Sequence, residues 1–529
     1  MKSNLQKIDH VVVLMLENRS FDNMLGWLGT SDGGRQKVNG VAGKELSNPI
    51  PAFAKAPRGH KSIPVGKEKK MTNPNPDPGE EYQHVNTQLY GRIRPRANRR
   101  APFNAKPYNL PSGALPDPAP MNGFVLDYIY SFISARKRMP QYHEYKVIMD
   151  CFDEAVIPVL SKLAKEYAVF DAWHASVPSQ TLCNRSFMHA ATSHGYVLNS
   201  PFYHWLMQPT QTIFNQISQK QDPAVTWKVY YDKLDIVSLT GLQNPRLWKY
   251  HTANFQYMED FESDAKNGTL PSYSFIDPRF LIDHNDNHPP VSVQILETSS
   301  VLAGEMLIHR IYEALRNGKK WDNTLLIITF DEHGGCYDHV PPPAAVPPDP
   351  DAPKGQMDFR FDRLGVRVPT VMISPYIQKG TVISDVHDHT SILKFVEDRW
   401  SLDPLTERDK HANDFSKVLG LKSPRKDFPE LIPRPYQVSK KAHEEPLNDL
   451  QKGMLMIMAG FEDAQEIKQE HNIFEKAEAL FQLVVDEGRI AHIKTVGQAI
   501  DFTMDFDRRT SKRSSFWKWL WRKIERIFA

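Results

Sequence analysis

Two apolar runs, each ending in acids, constrain this chain more than any other feature. Val11-Val12-Val13-Leu14-Met15-Leu16 is followed at once by Glu17-Asn18-Arg19-Ser20-Phe21-Asp22. Thr324-Leu325-Leu326-Ile327-Ile328-Thr329-Phe330 is followed by Asp331-Glu332-His333-Gly334-Gly335. Neither run alternates polar with apolar residues, so a strand built from it has no face to offer water. Such strands sit inside a parallel sheet covered on both faces. The acids then emerge beyond the carboxyl ends of the strands, where open α/β sheets bind ligands.

Weaker signals extend this frame. Short strands are expected at 168–171, 273–276 and 368–374, and helices at 20–28, 157–165, 186–193, 301–316 and 390–399. Strands alternating with helices give an α/β fold class, a mainly parallel central sheet with helices on both faces. Residues 33–120, rich in Pro, Asn and Lys, and the aromatic stretch 200–270 read as long insertions. From about 440 the pattern holds no strand and three helical stretches, near 447–458, 473–487 and 495–504. The expected organisation is a main domain over 1–440, a helical appendage over 441–507 and a basic amphipathic C-terminal helix over 508–529.

Charge and cysteine usage exclude several classes. Lys plus Arg (65) nearly balance Asp plus Glu (63), so global charge does not point to nucleic acid. Cys151, Cys183 and Cys336 are too few and too widely spaced for a zinc pair or a disulfide framework. The first ten residues lack the apolar core of a classical signal peptide, and no run is long enough to span a membrane. Synthesis in the cytoplasm is therefore expected, with peripheral membrane association or signal-independent export left open.

The two acidic strand ends offer carboxylate and amide oxygens, donors that suit Mg²⁺, Ca²⁺ or Mn²⁺, and with histidine Zn²⁺ or Fe. A third segment, Pro178-Ser179-Gln180-Thr181-Leu182-Cys183-Asn184-Arg185-Ser186-Phe187, places a hydroxyl before an expected helix start. That position favours phosphate, and the Arg185 fork matches its oxygens. Taken alone, Thr181 reads rather as a helix cap. His288 and His389 lie in polar segments able to bind metal or move a proton. His284, His339 and His387 read as solvated loop histidines.

Together these segments resemble a known family. Glu17-Asn18-Arg19-Ser20-Phe21-Asp22, Thr181-x-x-Asn184-Arg185 and Thr329-Phe330-Asp331-Glu332-His333-Gly334-Gly335 are similar to motifs of the bacterial phosphoesterases that include phospholipases C and acid phosphatases. So are Asp338-His339-Val340-Pro341-Pro342, Gly365-Val366-Arg367-Val368-Pro369, Ser374-Pro375-Tyr376 and Asp388-His389-Thr390. That family belongs to the alkaline-phosphatase-like superfamily. The resemblance spans about residues 8–435 and implies an alkaline-phosphatase-like core.

It further implies Thr181 as nucleophile and as metal ligand, with Glu17, Asn18, Asp331 and Glu332 completing a site for a divalent metal ion. Asn184, Arg185 and His84 would bind the substrate phosphate, and His288 and His389 would serve the leaving group. One departure stands out. After Asp77-Pro78-Gly79, where many members carry a histidine, this chain has Glu80, with His84 four residues on. Either could reach the site.

The implied activity is hydrolysis of phosphoric esters through a phosphothreonine, with a phospholipid or other phosphate ester as substrate. Phospholipase C is favoured over a broad acid phosphatase or an inactive membrane-binding homologue. Tyr203, His204, Trp205, Trp227, Tyr230, Tyr231, Trp248 and Tyr250 read either as a cation–π box for a quaternary ammonium or as insertion core. Between 508 and 529, eight Lys or Arg face a single acid, Glu525. Phe516, Trp517, Leu520, Ile524, Ile527 and Phe528 share one helical face, the pattern of a helix lying on a membrane surface.

Overall fold

The computed structural model describes residues 4–29, 37–91, 115–290 with short breaks at 201–202, 207–209, 221, 223, 236 and 282, and 300–436. Of the C-terminal part it describes 447, 449–463 and 490–502, the last with breaks at 496–497 and 500. The expected helix at 473–487 and the basic segment 508–529 lie outside the described residues.

Eight strands form one sheet: β1 (His10–Leu16), β2 (Ala168–Phe170), β3 (Trp227–Tyr231), β4 (Phe255–Tyr257), β5 (Tyr273–Ile276), β6 (Thr324–Phe330), β7 (Thr370–Ile373) and β8 (Thr381–Ile383). Their spatial order is β8-β2-β7-β6-β1-β5-β3-β4. Every pairing is parallel except those of β7, which runs antiparallel to both β6 and β2. The two apolar runs are the central pair. All seven residues of β6 and the last six of β1 are buried, and successive side chains point to opposite faces, so both faces are covered.

The principal helices are α1 (Phe21–Leu25), α2 (Tyr82–Tyr90), α3 (Phe124–Arg136), α4 (Pro158–Glu166), α5 (Thr181–Ala190), α6 (Val301–Arg316), α7 (Thr390–Trp400) and α8 (Asp449–Asp463). α4 and α6 join through a buried acid. The Glu305 carboxylate of α6 accepts from the backbone N–H groups of Val159 and Leu160, 2.5 and 2.9 Å away. It thereby satisfies two of the open donors at the start of α4, whose first residue is proline.

Three expectations need correction. The stretch 200–270 is no mere insertion, because it supplies β3 and β4 to the central sheet. Its aromatic residues are largely core. Trp227 packs on Phe214 at 4.8 Å between ring centroids, and Tyr230 packs on Phe261 at 5.2 Å. A cation box needs open ring faces, and these rings are buried. The nucleophile-like segment is also more helical than its sequence suggests: α5 begins at Thr181, not at 186. The helix cap is Gln180, and Thr181 is the first helical residue.

The C-terminal part is packed, not merely appended. Leu447, Leu450, Met454, Leu455 and Met458 join one apolar cluster with Leu182, Cys183, Phe187 and Phe280. The Gln451 side chain donates to the Phe280 carbonyl at 3.0 Å.

Candidate active site

The register of the central pair builds the site. Leu16 lies opposite Phe330, so Glu17 and Asp331 leave the sheet side by side at its carboxyl edge. On the other side of β1, Leu14 pairs with Ile276, which brings Asp277 to the same edge. Arg185 of α5 spans all three. Its guanidinium lies 3.3 Å from Asp331, 3.4 Å from Glu17 and 3.8 Å from Asp277, with the ring of Phe280 4.9 Å away. Thr181 sits one helical turn before Arg185, on the same face of α5. Thr181 thus starts the helix that brings Arg185 to the carboxyl edge of the sheet.

The two acidic turns are bonded to each other. Asn18 N–H donates to Asp331 Oδ1 at 3.3 Å, and Arg19 N–H donates to the Glu332 carbonyl at 3.1 Å. Gly334 lies so close to Asn18 that a Cβ would stand 2.1 Å from the Asn18 carbonyl oxygen, and its φ is +60°. Only glycine fits there.

Glu80 answers the question its sequence position raises. It accepts from Asn18 Nδ2 and lies against Glu332, inside the cluster. His84 instead points to Asp127, 2.8 Å from Nδ1, and to Glu81. The expectation that His84 binds phosphate is therefore replaced by a structural pairing on α2. The ring packs close on Gly79, where a Cβ would stand 2.1 Å from His84 Nδ1.

Other expected residues take supporting places. Asn184 does not face a ligand: its amide accepts from Val177 N–H and donates to the carbonyls of Val177, Ser179 and Gln180. It clamps the loop that delivers Thr181. Arg185 is held by carboxylates and by the Met15 carbonyl at 3.0 Å. It thus orders the acids, while its Nη1 makes no hydrogen bond. His389 is fully buried. Nε2 lies 2.7 Å from the Asp331 carbonyl and Nδ1 accepts from the Trp173 indole at 3.4 Å, so both ring nitrogens are engaged behind Asp331. Burial lowers its pKa to about 4 and keeps it neutral.

His288 does reach the cluster. Its Nδ1 lies 2.7 Å from the Pro289 carbonyl and its Nε2 is 4.0 Å from Asp77. Asp77, Glu80 and His288 bring one ligand atom each within 4.8 Å of one another. The three histidines read as solvated are bonded and largely buried: His284 to Asp286, His339 to Asp22, and His387 stacked on Trp173. For His339 and His387 the partners lie far along the chain, whereas Asp286 stands two residues from His284.

The electrostatics of the cluster are those of crowded, dry carboxylates. Burial and then Asp331 push Glu17 well above the usual carboxylate range, against the pull of Arg185. Burial and then Glu332 do the same to Glu80, and burial dominates at Glu332. Asp331 rises to about 6 through burial. Yet both Glu17 oxygens, Glu332 Oε1 and Asn18 Oδ1 accept no hydrogen bond. Buried carboxylate oxygens are rarely left so. Hard oxygen donors, buried and unsatisfied, suit a divalent cation by their chemistry.

A mainly parallel sheet flanked by helices, with a buried carboxylate cluster at its carboxyl edge, is the layout of an α/β enzyme. The Phosphoesterase family model matches residues 8–403, and the chain belongs to that family. It is a phosphoric ester hydrolase. Non-specific phospholipase C6 of Arabidopsis thaliana is 34% identical over 471 residues, 85% of this chain and 80% of that protein. Phospholipase C B of Mycobacterium tuberculosis is 30% identical over 321 residues, 53% of this chain and 57% of that protein. Among solved structures, a protein of the alkaline phosphatase superfamily from Vibrio parahaemolyticus aligns at TM-score 0.28 with 12% identity, covering 48% of this chain and 62% of the other.

Proposed function

We propose that this enzyme is a metal-dependent phospholipase C that works through a phosphothreonine at Thr181. The observation that carries the reading is the set of buried, unsatisfied oxygens on Glu17, Asn18 and Glu332 beside Asp331, at the start of the helix bearing Thr181. The names of the relatives, phospholipases C of a plant and of a mycobacterium, select the ester class.

Glu17, Asn18, Asp331, Glu332 and the Thr181 hydroxyl would hold the cation, with zinc, calcium, magnesium, manganese or iron all compatible with the donors. Such an ion supplies positive charge to the phosphoryl oxygens and lowers the pKa of a hydroxyl in its shell. Thr181 Oγ1 would attack phosphorus, its bond to phosphorus forming as the bond to the diacylglycerol oxygen breaks, and the proton that Thr181 gives up would end on that oxygen, so that diacylglycerol leaves as the alcohol. Arg185 aligns Glu17 and Asp331 and opposes the rise of their pKa values, and Asn184 fixes the loop that carries Thr181. With Nδ1–H donated to Pro289, the neutral His288 ring carries its lone pair on Nε2, facing the cluster. It is placed to take the proton from the water that releases the phosphorylated head group.

The test compares p-nitrophenylphosphorylcholine with p-nitrophenyl phosphate, with and without chelator. Chelator-sensitive turnover of the diester supports the reading. Turnover of the monoester alone makes the enzyme an acid phosphatase, and turnover indifferent to exhaustive chelation removes the metal.

A further inference from the structure

We propose that Arg367 is a positioning residue for the cation centre, setting the separation of the two ligand-bearing turns without touching cation or substrate. The inference rests on the metal-dependent reading above. Arg367 belongs to a Gly-Val-Arg-Val-Pro segment to which the proposed chemistry gives no role. Its side chain is fully buried, and a guanidinium has five N–H donors to satisfy.

All five are used. Nε donates to Asp338 Oδ1 at 2.9 Å. Nη1 donates to the Asn39 carbonyl at 2.8 Å and the Asp171 carbonyl at 2.6 Å. Nη2 donates to Asp22 Oδ1 at 3.0 Å and Asp338 Oδ2 at 3.2 Å. Asp22 closes the turn that begins at Glu17, and Asp338 closes the turn that begins at Asp331. One guanidinium therefore joins the far ends of both.

Between ligands and knot the turns run together like the sides of a zip. Asn18 bonds Asp331, Arg19 bonds Glu332, and Ser20 Oγ donates to the Tyr337 carbonyl at 2.6 Å. Asp22 N–H donates to Asp338 Oδ2 at 3.1 Å, and His339 N–H returns to Asp22 Oδ2 at 2.8 Å. Phe21 N–H donates to the Arg367 carbonyl at 3.1 Å, and the Phe21 ring lies 4.6 Å under the guanidinium. A shift at the knot is thus carried to Glu17 and Asp331 by paired backbone, with little slack.

Lysine in this place keeps the charge but not the fork. Its three donors radiate from one atom and cannot reach two carboxylates and two carbonyls together. The experiment uses the full chain, stripped with chelator, and titrates Mn²⁺ or Zn²⁺ by calorimetry into wild type, Arg367→Lys and Asp338→Asn. Melting curves of the same samples are recorded. Groups that orient metal ligands from outside typically contribute about 10- to 100-fold in affinity. The expected result is a loss of that size in both variants, measured well below their melting temperatures, with activity recovering as the cation is raised. A cation affinity within about twofold of wild type, alongside a lowered melting temperature, makes the knot purely structural and overturns the proposal. Asp338→Asn keeps the side-chain volume and carries the same test if Arg367→Lys does not fold. Wild type that takes up no cation instead overturns the metal-dependent reading, and this inference with it.

Discussion

Two buried acid clusters lie on the same pair of turns, and they are built on opposite principles. Asp22, Asp338 and His339 place their ligand atoms within 4.8 Å of one another, as a metal site would. They already hold a cation, the Arg367 guanidinium. Burial pushes Asp22 up, but Arg367 and His339 outweigh it and leave that carboxyl below its ordinary value, while burial still holds Asp338 above its own. The cluster of Glu17, Glu80, Asp331 and Glu332 has only Arg185, shared with Asp277. Its carboxyls lie above their ordinary values and several of its oxygens have no donor. Counting acids does not separate the two. What separates them is whether the chain brings enough of its own positive charge and N–H groups to meet the oxygens it buries.

The comparison breaks first on chemistry. Thr181→Ala should lower kcat on the order of 10⁴-fold or more, the scale for losing a nucleophile. It should leave the melting temperature nearly unchanged, because Gln180 and not Thr181 caps the helix. Thr181→Ser should keep part of the activity. Near wild-type turnover in the alanine variant removes Thr181 from the mechanism.

Next come the acids themselves, and the two clusters should respond with opposite sign. Asp22→Asn removes one partner of a buried ion pair and should cost about 3–5 kcal/mol of stability. Glu17→Gln and Asp331→Asn relieve crowding in the metal-stripped protein and should cost little or even raise its melting temperature. Both should abolish metal retention, read by elemental analysis. Retained metal in the latter pair, or an unperturbed Asp22→Asn protein, erases the distinction.

A pH titration sharpens it further. Asp331 has a folded pKa of about 6, above that of an unfolded aspartate near ~3.9. Its protonated form is the one the stripped fold favours. The associated stability is present below that unfolded value and is lost as pH rises through about 6. Melting temperature in chelator should therefore fall between about pH 4 and 6, and excess Mn²⁺ should abolish the fall. A profile indifferent to cation counts against a shared site.

The smallest effects concern the segment after Gly79. His84→Ala leaves Asp127 with one donor fewer and should cost about 1–3 kcal/mol of stability with turnover retained. Glu80→Gln should weaken cation binding with little change in melting. Reversed outcomes would return His84 to the site.

Much of this was legible in the residues taken in order. Two segments of six and seven residues without a polar face suit central strands, and their parallel register brings Glu17 and Asp331 to the same edge. That argument needs only side-chain alternation and the cost of burying unsatisfied backbone. The nucleophile position of Thr181 followed from resemblance, not from spacing, since a threonine at a helix start reads rather as a cap. Strand β3 stayed hidden because Trp227 and its aromatic neighbours resemble a ligand box until Phe214 and Phe261 are seen to fill their faces.

Only the tertiary structure decided which polar residues serve the site and which serve each other. Glu80 against His84, Asn184 as a loop clamp, His389 behind Asp331 and Arg367 between two turns are all long-range pairings. Sequence records which donors and acceptors a chain owns, and local spacing reaches only three or four residues. The partner of a buried charge is chosen by which turns the sheet brings together. The Glu17 carboxylate and its Asp22 neighbour five residues on differ in role because Arg367, more than three hundred residues away along the chain, meets only the second.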